Sequence, residues 1–418
     1  MLGGLDRTQH LSSRARLEDV LAWVDGQVGA LPAENIQVAH AMGRVLAHDV
    51  TTAVDLPAFD RAAVDGLAVR ADETVGASVY NPLSFRMVVD DDLAPAAGVL
   101  VHAGDRLPRG ANAIATTDQL ADAGDGTCSI LEPVVAGACV ERTGSHAVGG
   151  SRLAPAGRKV RPADVGLLAA AGIGQVPVVR RPRVRCVLAG RDVVEAGTPL
   201  PLGAVHDANG PLLASFVARD GGLLVEQRRV DRSLAAVRAA VVSSGADVIL
   251  VAGGSGMGAD DHAASALNAA GVVAIHGVAV RPGDTVGAGR TTSGALVFLL
   301  PGTPVACLWT YELFAGRAIR RLGRLDPSLP FPSRMMTAGR KIVSEVGTTE
   351  VCPVQRVGED RIQPMASFAE AGLGAATQAN GFVIVPEGSE GYAQGASVLV
   401  YLYDEVSSHR GVEAIALP

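Results

Sequence analysis

The sequence predicts a multidomain α/β protein built around a doubly wound parallel sheet. Three observations support this fold class: strands and helices alternate over residues 180–323, short alternating strands fill residues 53–141, and strands return after residue 330. Alternation of strand and helix is typical of a parallel sheet covered by helices on both faces. The predicted architecture is a central doubly wound domain, an inserted small β domain, a mixed N-terminal domain and a C-terminal β domain.

The composition is that of a well-buried globular chain. The 418 residues are 48% apolar and 19% charged, and the net charge of -7 argues against nonspecific nucleic-acid binding, which needs a positive surface. No run of about 18 apolar residues is present, so no membrane span is predicted. The N-terminus lacks a signal-peptide core and the five cysteines include no C-x-x-C pair. We therefore expect a cytoplasmic protein with reduced thiols and no structural zinc.

The first 70 residues contain two predicted helices and a polar loop. Apolar residues recur at helical spacing over 17–24 and again over 38–46. The loop Leu56–Arg70 carries Asp60 and Asp65, which stand five residues apart, so two carboxylates can reach one site. Local turn chemistry, in which each carboxylate bonds its own backbone, is the alternative.

Residues 53–141 are predicted to form a small β domain inserted into a mixed domain made of residues 1–52 and 142–179. Gly, Pro and Asp interrupt short alternating runs about every ten residues, a pattern typical of small all-β modules. The predicted strands are Leu83–Val89, Ala113–Thr117 and Thr127–Leu131. After the insertion, Pro162–Ala171 is predicted to be a helix that begins at proline and ends at Gly172.

The central α/β domain is assigned to residues 180–323. Its predicted strands are Val184–Leu188, Leu223–Val225, Val248–Val251 and Leu296–Leu300, and its predicted helices are Gly210–Arg219, Ser233–Ser243, Ala263–Ala270 and Val305–Leu322. The arginines near the end of the last helix suit the helix dipole and need no ligand to explain them. A C-terminal β domain is assigned to residues 330–418, where Phe382–Pro386 and Ser397–Tyr403 are the clearest strands.

A glycine-rich loop follows the third of these strands. Gly253, Gly254, Gly256 and Gly258 lie between the apolar strand and an alanine-rich helix. Backbone N–H groups and the positive end of a helix converge in such a loop, which favours phosphate binding. The spacing fits neither the dinucleotide nor the P-loop motif. A tight turn that only joins strand to helix remains the alternative for the loop alone.

Further polar segments follow the other strands. Gly190–Asp192 and Asp207–Asn209 fall at or near the carboxyl ends of strands, and Pro301–Pro304 forms a rigid turn after the last strand. Ligands of doubly wound sheets bind at this edge. The sequence therefore predicts a binding site where these loops meet.

Five motifs in series resemble the MoeA family of molybdenum-cofactor enzymes, which includes the E domain of gephyrin. Leu56–Arg70 is similar to L-P-x-F-D-x-S-A-M-D-G-Y-A-V-R, and Gly253–Asp261 is similar to G-G-V-S-x-G-x-x-D, with Asp247 before it. The remaining three are Val205–Asn209, Arg281–Gly289 and Leu300–Val305, which resemble I-x-D-x-N, K-P-G-K-P-x-x-x-G and L-P-G-N-P-V. The resemblance covers nearly the whole chain in the family's order.

The resemblance implies a four-domain, L-shaped protomer in an elongated homodimer, with the mixed domain serving as linker and dimerisation domain. It also implies insertion of molybdate into adenylylated molybdopterin, with release of AMP and with Mg²⁺ as cofactor. A molybdoenzyme client is a candidate partner, whereas nucleic acid and membrane are not expected as partners.

The resemblance further assigns roles to individual residues. Asp65 would be the catalytic carboxylate, brought to the cleft by the partner subunit, and Asp247 and Asp261 would hold the metal. The implied ligand-binding residues are Gly190, Asp192, Asp207, Asn209, Gly253, Gly254, Ser255, Gly258, Pro282, Gly283, Pro301, Gly302 and Pro304.

Several polar positions depart from the family pattern. The chain has Ala103 in place of a threonine, Ser145 and His146 in place of acids, Arg191 in place of an acid, Asp284 in place of a lysine and Thr303 in place of an asparagine. A reversed charge beside an anion site is unfavourable, and Arg191 is a candidate to restore the lost positive charge. Besides the hypothesis that the chain is an enzyme, two further hypotheses therefore remain: a non-catalytic pterin carrier or sensor, and a purely structural module.

Overall fold

The computed structural model describes residues 14–89, 92–243 and 245–403. Within these ranges the chain forms two compact units. One unit is Ala33–Val178, and the other combines the N-terminal segment through Pro32 with the chain from Val179 onward. Each unit has its own hydrophobic clusters and is described by itself.

The first helix of the chain, α1 (Leu17–Gln27), belongs to the second unit. Its buried residues Val20 and Val24 join the cluster formed by one face of the central sheet. The sequence analysis assigns residues 1–52 to the mixed domain, so the structure divides that segment between the two units.

The unit of Ala33–Val178 is mostly β. Its elements are β1 (Ala33–Gln37), β2 (Val50–Thr51), β3 (Arg61–Ala62), β4 (Gly66–Val69), β5 (Leu83–Met87), β6 (Ala97–Val101), β7 (Ala113–Thr116), β8 (Leu120–Gly124), β9 (Thr127–Ile130), β10 (Val140–Glu141), β11 (Arg152–Ala154), α2 (Pro162–Ala170) and β12 (Gln175–Val179). Strands β4–β9 form one sheet in the order β7-β4-β6-β5-β9-β8. The three strands and the helix predicted here are all present.

The small β sheet is an insertion. Strand β1 pairs with β12, and β2 pairs with β11, so the chain leaves the mixed region after β2 and returns at β11. Leu67, Phe85 and Ile130 belong to the core of the small sheet, whereas Leu46 and Leu168 belong to a separate core. Within this unit the small sheet and the mixed region therefore have separate hydrophobic cores.

The second predicted helix, over residues 38–46, is wrong. The structure has only a 3₁₀ turn at Val38–His40, followed by an irregular bend at Gly43, whose φ is 75°. Beyond the bend the backbone bonds to distant segments: Leu46 N donates to Arg158 O at 3.0 Å, and Ala47 N donates to Pro177 O at 2.9 Å. Tertiary hydrogen bonds outweigh the helical periodicity here.

The central domain carries a six-stranded sheet. Its elements are β13 (Arg183–Ala189), β14 (Val193–Val194), β15 (Val205–His206), α3 (Asn209–Arg219), β16 (Leu223–Val230), α4 (Leu234–Val242), β17 (Val248–Ala252), α5 (Ala263–Ala270), β18 (Gly271–His276), β19 (Val280–Arg281), β20 (Gly287–Thr291), β21 (Leu296–Leu300), α6 (Pro304–Thr310) and α7 (Gly316–Leu322). The strand order is β16-β13-β17-β21-β20-β18. The first four strands are parallel to one another. Strand β20 is antiparallel to both of its neighbours, β21 and β18.

Helices cover both faces of this sheet, as a doubly wound fold requires. Along β17, Val248 and Leu250 enter the cluster shared with α3, α6 and α7, whereas Ile249 and Val251 enter the cluster shared with α4 and α5. Successive side chains of a strand point to opposite faces, so an unbroken apolar strand is buried on both sides. The antiparallel edge of β20 and β18 was not predicted.

The predicted helix over 305–322 is helical over its full length, but its middle turn is π-helical rather than α-helical. Helices α6 and α7 are joined by a π-helical turn, Tyr311–Ala315, that holds the buried Glu312. Arg219 of α3 donates to both Glu312 carboxylate oxygens at 2.5 and 2.8 Å. A buried carboxylate is tolerated here because a cation pairs with it, although burial still raises the Glu312 pKa above its ordinary value.

Each arginine of α7 forms an ion pair with a carboxylate. Arg317 and Arg321 pair with Asp25 of α1, and Arg320 pairs with the buried Asp220 at 3.0 Å. The helix dipole therefore does not account for these residues by itself. Their main partners are carboxylates.

The C-terminal domain is a small closed sheet. Its elements are β22 (Ser333–Ala338), β23 (Ile342–Val343), β24 (Thr349–Arg356), β25 (Arg361–Pro364), α8 (Phe368–Gln378), β26 (Gly381–Val385), β27 (Gly391–Tyr392) and β28 (Ser397–Leu402). The order is β19-β24-β25-β22-β28-β26, and β26 pairs back to β24, so five strands close into a ring. Both clearest predicted strands are present. Residues 404–418 of the predicted domain lie outside the described ranges.

Replacing Asp25 with Asn tests how α1 is attached. Arg317 donates to both carboxylate oxygens of Asp25 at 2.8 and 2.7 Å, and these bonds lower the Asp25 pKa. A lowered folded-state pKa gives stability that is present above the unfolded value, about 4, and lost as the pH falls through the folded value. We expect the Asp25→Asn variant to lose about 1 kcal/mol of unfolding free energy at pH 7.

Urea unfolding of both proteins at several pH values measures this effect. The difference between wild type and Asp25→Asn should shrink as the pH falls below about 4. Glu359→Gln, at an exposed turn, is the control and should unfold like wild type. A difference that is constant with pH would contradict the ion-pair explanation.

Candidate functional site

A cavity of about 890 Å³ lies at the carboxyl edge of the central sheet. The loops after β13, β17 and β21 line it, and the loop Pro282–Thr285 forms a further wall. Because these strands are parallel, their carboxyl ends meet at one edge. The cavity is of a size that takes a small-molecule ligand.

The structure gathers most of the predicted ligand-binding residues around this cavity. Those that line it are Gly190, Asp192, Gly253, Gly254, Ser255, Pro282, Gly283, Pro301 and Gly302, together with the predicted metal ligand Asp261. Those that do not line it are Asp207, Asn209, Gly258, Pro304, Asp247 and Asp65.

The floor of the cavity depends on the close approach of backbone segments at Gly253. Gly253 has φ 99°, and a Cβ there would lie 2.3 Å from Ala189 O. Its N–H donates to Leu300 O at 2.9 Å, so the loop is tied to the neighbouring strand β21. A Cβ on Gly302 would lie 3.4 Å from Gly253 Cα, which is an ordinary van der Waals contact. The three loops therefore pack backbone against backbone at this point.

Asp261 holds the glycine loop in shape. Its Oδ2 accepts from Gly258 N at 2.9 Å, and its Oδ1 accepts from Arg232 Nη2 at 3.1 Å. A Cβ on Gly256 would lie 2.5 Å from the same Oδ2, so the loop folds closely around the carboxylate. Asp261 thus orders the loop and holds Arg232 at the cavity wall.

Ser255 connects the glycine loop to the opposite wall. Its side chain is buried, and its Oγ lies 3.2 Å from Thr285 Oγ1. The carbonyl oxygen of Ser255 lies 2.8 Å from His276 Nε2. On the same wall Gly283 has φ 114°, and a Cβ there would lie 2.3 Å from Thr310 Cγ2. The wall and the floor are therefore packed as one structure.

Asp207 and Asn209 stabilise the backbone around the cavity but do not line the cavity. The buried Asp207 accepts from Gly210 N at 2.8 Å and from Arg229 Nε at 3.2 Å, at the start of α3. Asn209 Nδ2 donates to Gly302 O at 2.9 Å. Both side chains position the backbone of the site and do not face its interior.

The predicted pairing of Asp247 with Asp261 at one metal is contradicted. Asp247 precedes β17, whereas Asp261 follows it, and five strand residues span about 17 Å. Both Asp247 carboxylate oxygens accept from Arg180, at 2.9 Å each, and Oδ2 also accepts from Arg183 N at 2.7 Å. Asp247 is therefore a structural residue at the amino edge of the sheet.

Asp65 lies in the unit of Ala33–Val178, so the cavity residues and Asp65 come from different units. Its exposed carboxylate accepts from Ala103 N at 2.7 Å, and the other oxygen lies 3.7 Å from His102 Nδ1. The Ala103 hydrogen bond is the main reason that the Asp65 pKa is lowered, with His102 contributing. Asp65 is thus an ionised, solvent-accessible carboxylate.

Asp60 is held differently from Asp65. It accepts from Arg142 Nη1, Thr143 N and Thr143 Oγ1 at 2.8, 2.7 and 2.9 Å. These bonds reach some 80 residues along the chain, so local turn chemistry does not describe Asp60. The structure does not link the two aspartates through a shared partner.

The charged residues that line the cavity are mostly paired. Arg14 pairs with Asp284 at 2.5 Å, Arg232 with Asp261 at 3.1 Å, and Arg281 with Glu345 at 2.8 Å. Arg191 lines the cavity and, within the described ranges, has no ion-pair partner. Among the described residues, four arginines and three aspartates line the cavity, and Glu345 neutralises one of the arginines, Arg281, so the charges of the site are balanced.

Sequence reasoning missed three of these residues as candidates. Arg14 precedes α1 and carries no motif, so nothing in the sequence marked it. Arg232 closely follows β16, and the same rule that selected the other strand ends could have found it. Thr285 lay inside a recognised motif but was not singled out.

Cysteine chemistry is not part of this site. All five cysteines are unpaired, as predicted, and none lines the cavity. Burial raises the pKa of Cys186, on the sheet behind the cavity, to about 12. A buried thiol with such a pKa is not a nucleophile at neutral pH.

Family models match three parts of the chain. The MoeA N-terminal region (domain I and II) matches residues 15–172, a probable molybdopterin binding domain matches residues 187–321, and the MoeA C-terminal region (domain IV) matches residues 336–403. The second match contains most of the residues that line the cavity. The chain belongs to the MoeA family.

Curated relatives and solved structures agree with this assignment. Molybdopterin molybdenumtransferase 2 of Mycobacterium tuberculosis is 32% identical over 72% of this chain and 78% of the relative. Molybdopterin molybdenumtransferase of Bacillus subtilis is 29% identical over 89% of this chain and 90% of the relative. The structure of the molybdopterin biosynthesis MoeA protein of Pyrococcus horikoshii superposes with a TM-score of 0.76 at 27% identity, covering 94% of this chain and all of that chain.

Two features are absent from the described residues. No helix there is long and apolar enough to cross a membrane. No group of three or more His, Cys, Asp or Glu side chains within these ranges is arranged to hold a metal ion.

Replacing Gly253 with Ala tests the floor of the cavity. The new Cβ would meet Ala189 O, and φ 99° is strained for alanine, so the loop must move. Gly197→Ala is the matched control, because Gly197 also has positive φ but has open space around its Cβ position. We expect Gly253→Ala to abolish measurable ligand binding and Gly197→Ala to retain it.

Calorimetric titration of each variant with molybdopterin, the ligand named in the matching domain model, measures this difference. Circular dichroism shows whether each variant is folded. Equal binding by Gly253→Ala and wild type would contradict the close-packed loop.

Proposed function

We propose that this chain inserts molybdate into adenylylated molybdopterin and releases AMP. The observation that carries this proposal is the cavity itself: three backbone loops meet at the carboxyl edge of the domain that matches the molybdopterin-binding model. Membership of the MoeA family and the molybdenumtransferase names of its relatives support the same reaction.

The glycine loop is proposed to hold the phosphates of the pterin nucleotide. The loop lines the cavity and leads into α5, and the N–H groups of Gly254 and Ser255 donate to no other described residue. Loop amides and the positive end of a helix together favour an anion. Gly190 and Pro301 extend this surface along the neighbouring strand ends.

Magnesium is proposed as the metal, and the residues present fit it. Mg²⁺ keeps several waters and takes one or two protein carboxylates together with substrate phosphates, so it needs no cluster of three protein ligands. Asp192 lines the cavity and is the carboxylate that would hold the ion, because both oxygens of Asp261 already bond Gly258 N and Arg232. When bound, Mg²⁺ neutralises charge on the phosphoanhydride.

Asp65 is proposed as the catalytic carboxylate, and a homodimer as the assembly that brings it to the cleft of the partner. Its ionised, exposed carboxylate suits such a role, because it is free to meet a bound substrate. A cytoplasmic location and transfer of the finished cofactor to a molybdoenzyme client complete the proposal.

The departures from the family pattern leave the charges of the cavity balanced. Asp284, the most severe of them, is neutralised by Arg14. Arg191, which replaces an acid, adds a cation that no described residue neutralises. The altered cavity is therefore compatible with an anionic substrate.

The proposed reaction is tested by mixing purified protein with adenylylated molybdopterin, molybdate and Mg²⁺. We expect AMP release and molybdenum incorporation, and we expect Asp65→Asn to lower both by about 100-fold or more while binding is retained. Asp72→Asn, an exposed aspartate of the same unit, is the control and should react like wild type.

Tight binding without turnover by the wild-type protein would overturn the enzymatic proposal. It would leave a carrier or sensor of the pterin. Equal turnover by Asp65→Asn and wild type would overturn the role of Asp65 alone.

Arg191 is proposed to bind an anionic group of the ligand. Since it carries no competing ion pair within the described ranges, its guanidinium is available for a bidentate contact. We expect Arg191→Ala to weaken pterin-nucleotide binding about ten-fold in calorimetric titrations. Arg238→Ala, an exposed arginine on α4, is the control, and unchanged affinity in Arg191→Ala would contradict this role.

A further inference from the structure

Arg14 enters the cavity wall from a part of the chain that carries no recognised motif. The backbone next to it is fixed by two hydrogen bonds: Ala15 N donates to Gly277 O at 3.0 Å, and Ala279 N donates to Ala15 O at 2.8 Å. Ala15 thereby forms a parallel bridge with Val278. The N-terminal segment is thus attached to the chain just before the loop Pro282–Thr285.

The side chain of Arg14 lines the same cavity as the glycine loop. Its Nη2 donates to Asp284 Oδ2 at 2.5 Å, and the two side chains remain 41% and 44% exposed. A guanidinium has five N–H donors, and Asp284 engages Arg14 through Nη2 alone. The remaining donors are partly open to whatever enters the cavity.

Asp284 is itself held in place. Its carbonyl oxygen accepts from Val278 N at 3.0 Å, and its neighbour Thr285 contacts Ser255 of the glycine loop at 3.2 Å. The ion pair therefore joins the N-terminal segment to the loop after β19, and the Thr285–Ser255 contact joins that loop to the loop after β17.

We infer that Arg14 binds an oxyanion of the ligand, and that Asp284 positions its guanidinium to do so. This inference rests on the proposed function, since it takes the ligand to be the pterin nucleotide with molybdate. An arginine fixed by one carboxylate presents its remaining N–H groups in a planar fork that matches phosphate or molybdate. The oxyanion is either a phosphate of the nucleotide or the molybdate, and the two share the same chemistry toward arginine.

A simpler role for Arg14 would be to neutralise Asp284. The two roles differ in what happens when Asp284 loses its charge. If Arg14 only neutralises, it becomes dispensable in an Asp284→Asn background. If Arg14 contacts the ligand, its loss still weakens binding in that background, and a double-mutant cycle separates the two effects.

The test titrates wild type, Arg14→Ala, Asp284→Asn and the double variant with adenylylated molybdopterin at fixed salt concentration. We expect Arg14→Ala to bind about ten-fold more weakly or worse, the size of a charge-assisted hydrogen bond. We expect the double variant to bind about ten-fold more weakly than Asp284→Asn. Circular dichroism of each variant shows whether it is folded.

Arg16→Ala is the matched control. Arg16 lies on the same segment and also forms ion pairs, with Glu387 and Glu18, but it does not line the cavity. It should bind ligand like wild type. Equal losses in Arg16→Ala and Arg14→Ala would mean that detachment of the N-terminal segment, rather than a contact of Arg14, weakens binding, and would overturn the inference.

Separate titrations with AMP and with molybdate identify the oxyanion. Weaker binding of AMP alone by Arg14→Ala assigns Arg14 to a phosphate, and weaker binding of molybdate alone assigns it to the metal oxyanion. A double variant that binds adenylylated molybdopterin as tightly as Asp284→Asn overturns the inference but leaves the proposed function intact. Absence of binding by the wild-type protein overturns the proposed function and the inference together.

Discussion

The close contact between backbones at the carboxyl edge of the central sheet is the constraint on which the site depends. Gly253 lies against Ala189 of one neighbouring strand and bonds Leu300 of the other, and Gly302 packs on Gly253 in turn. Strands about 4.8 Å apart leave no room for side chains between the loops that end them. The result is a floor of closely packed backbone in which the N–H groups of Gly254 and Ser255 donate to no other described residue, so they can bind an anion without a lysine.

Ion pairs determine the charge around the floor of the cavity. Asp261 orders the glycine loop and holds Arg232, and Asp284 holds Arg14. In each pair a carboxylate that would repel an anionic ligand is neutralised by an arginine that also lines the cavity. A sequence change that reverses charge at one position is thus offset by a residue some 270 positions away. Charge balance is a property of the folded cavity rather than of any one motif.

The sequence predicted the fold well where local pattern and tertiary packing agree. Buried strands such as β17 and the helix α5 were found within a residue, because an apolar run bounded by glycines has few alternatives. The pattern failed over residues 38–46, where hydrogen bonds to Arg158 and Pro177 replace the helix. The glycines and prolines of the site were also found, because their shape restricts the backbone. Asp247 was assigned to the metal from the family motif alone, although the predicted strand Val248–Val251 separates it from Asp261, and Arg14 was missed because its partner is distant in sequence.

The central claim is that the pterin nucleotide binds on the backbone floor formed by the loops after β13, β17 and β21. A crystal structure of the protein with adenylylated molybdopterin tests this most directly. We expect phosphate oxygens to lie within hydrogen-bond distance of the amides of Gly254 and Ser255, with the ligand extending along Gly190 and Pro301. A ligand bound elsewhere, with these amides facing only solvent, would contradict it.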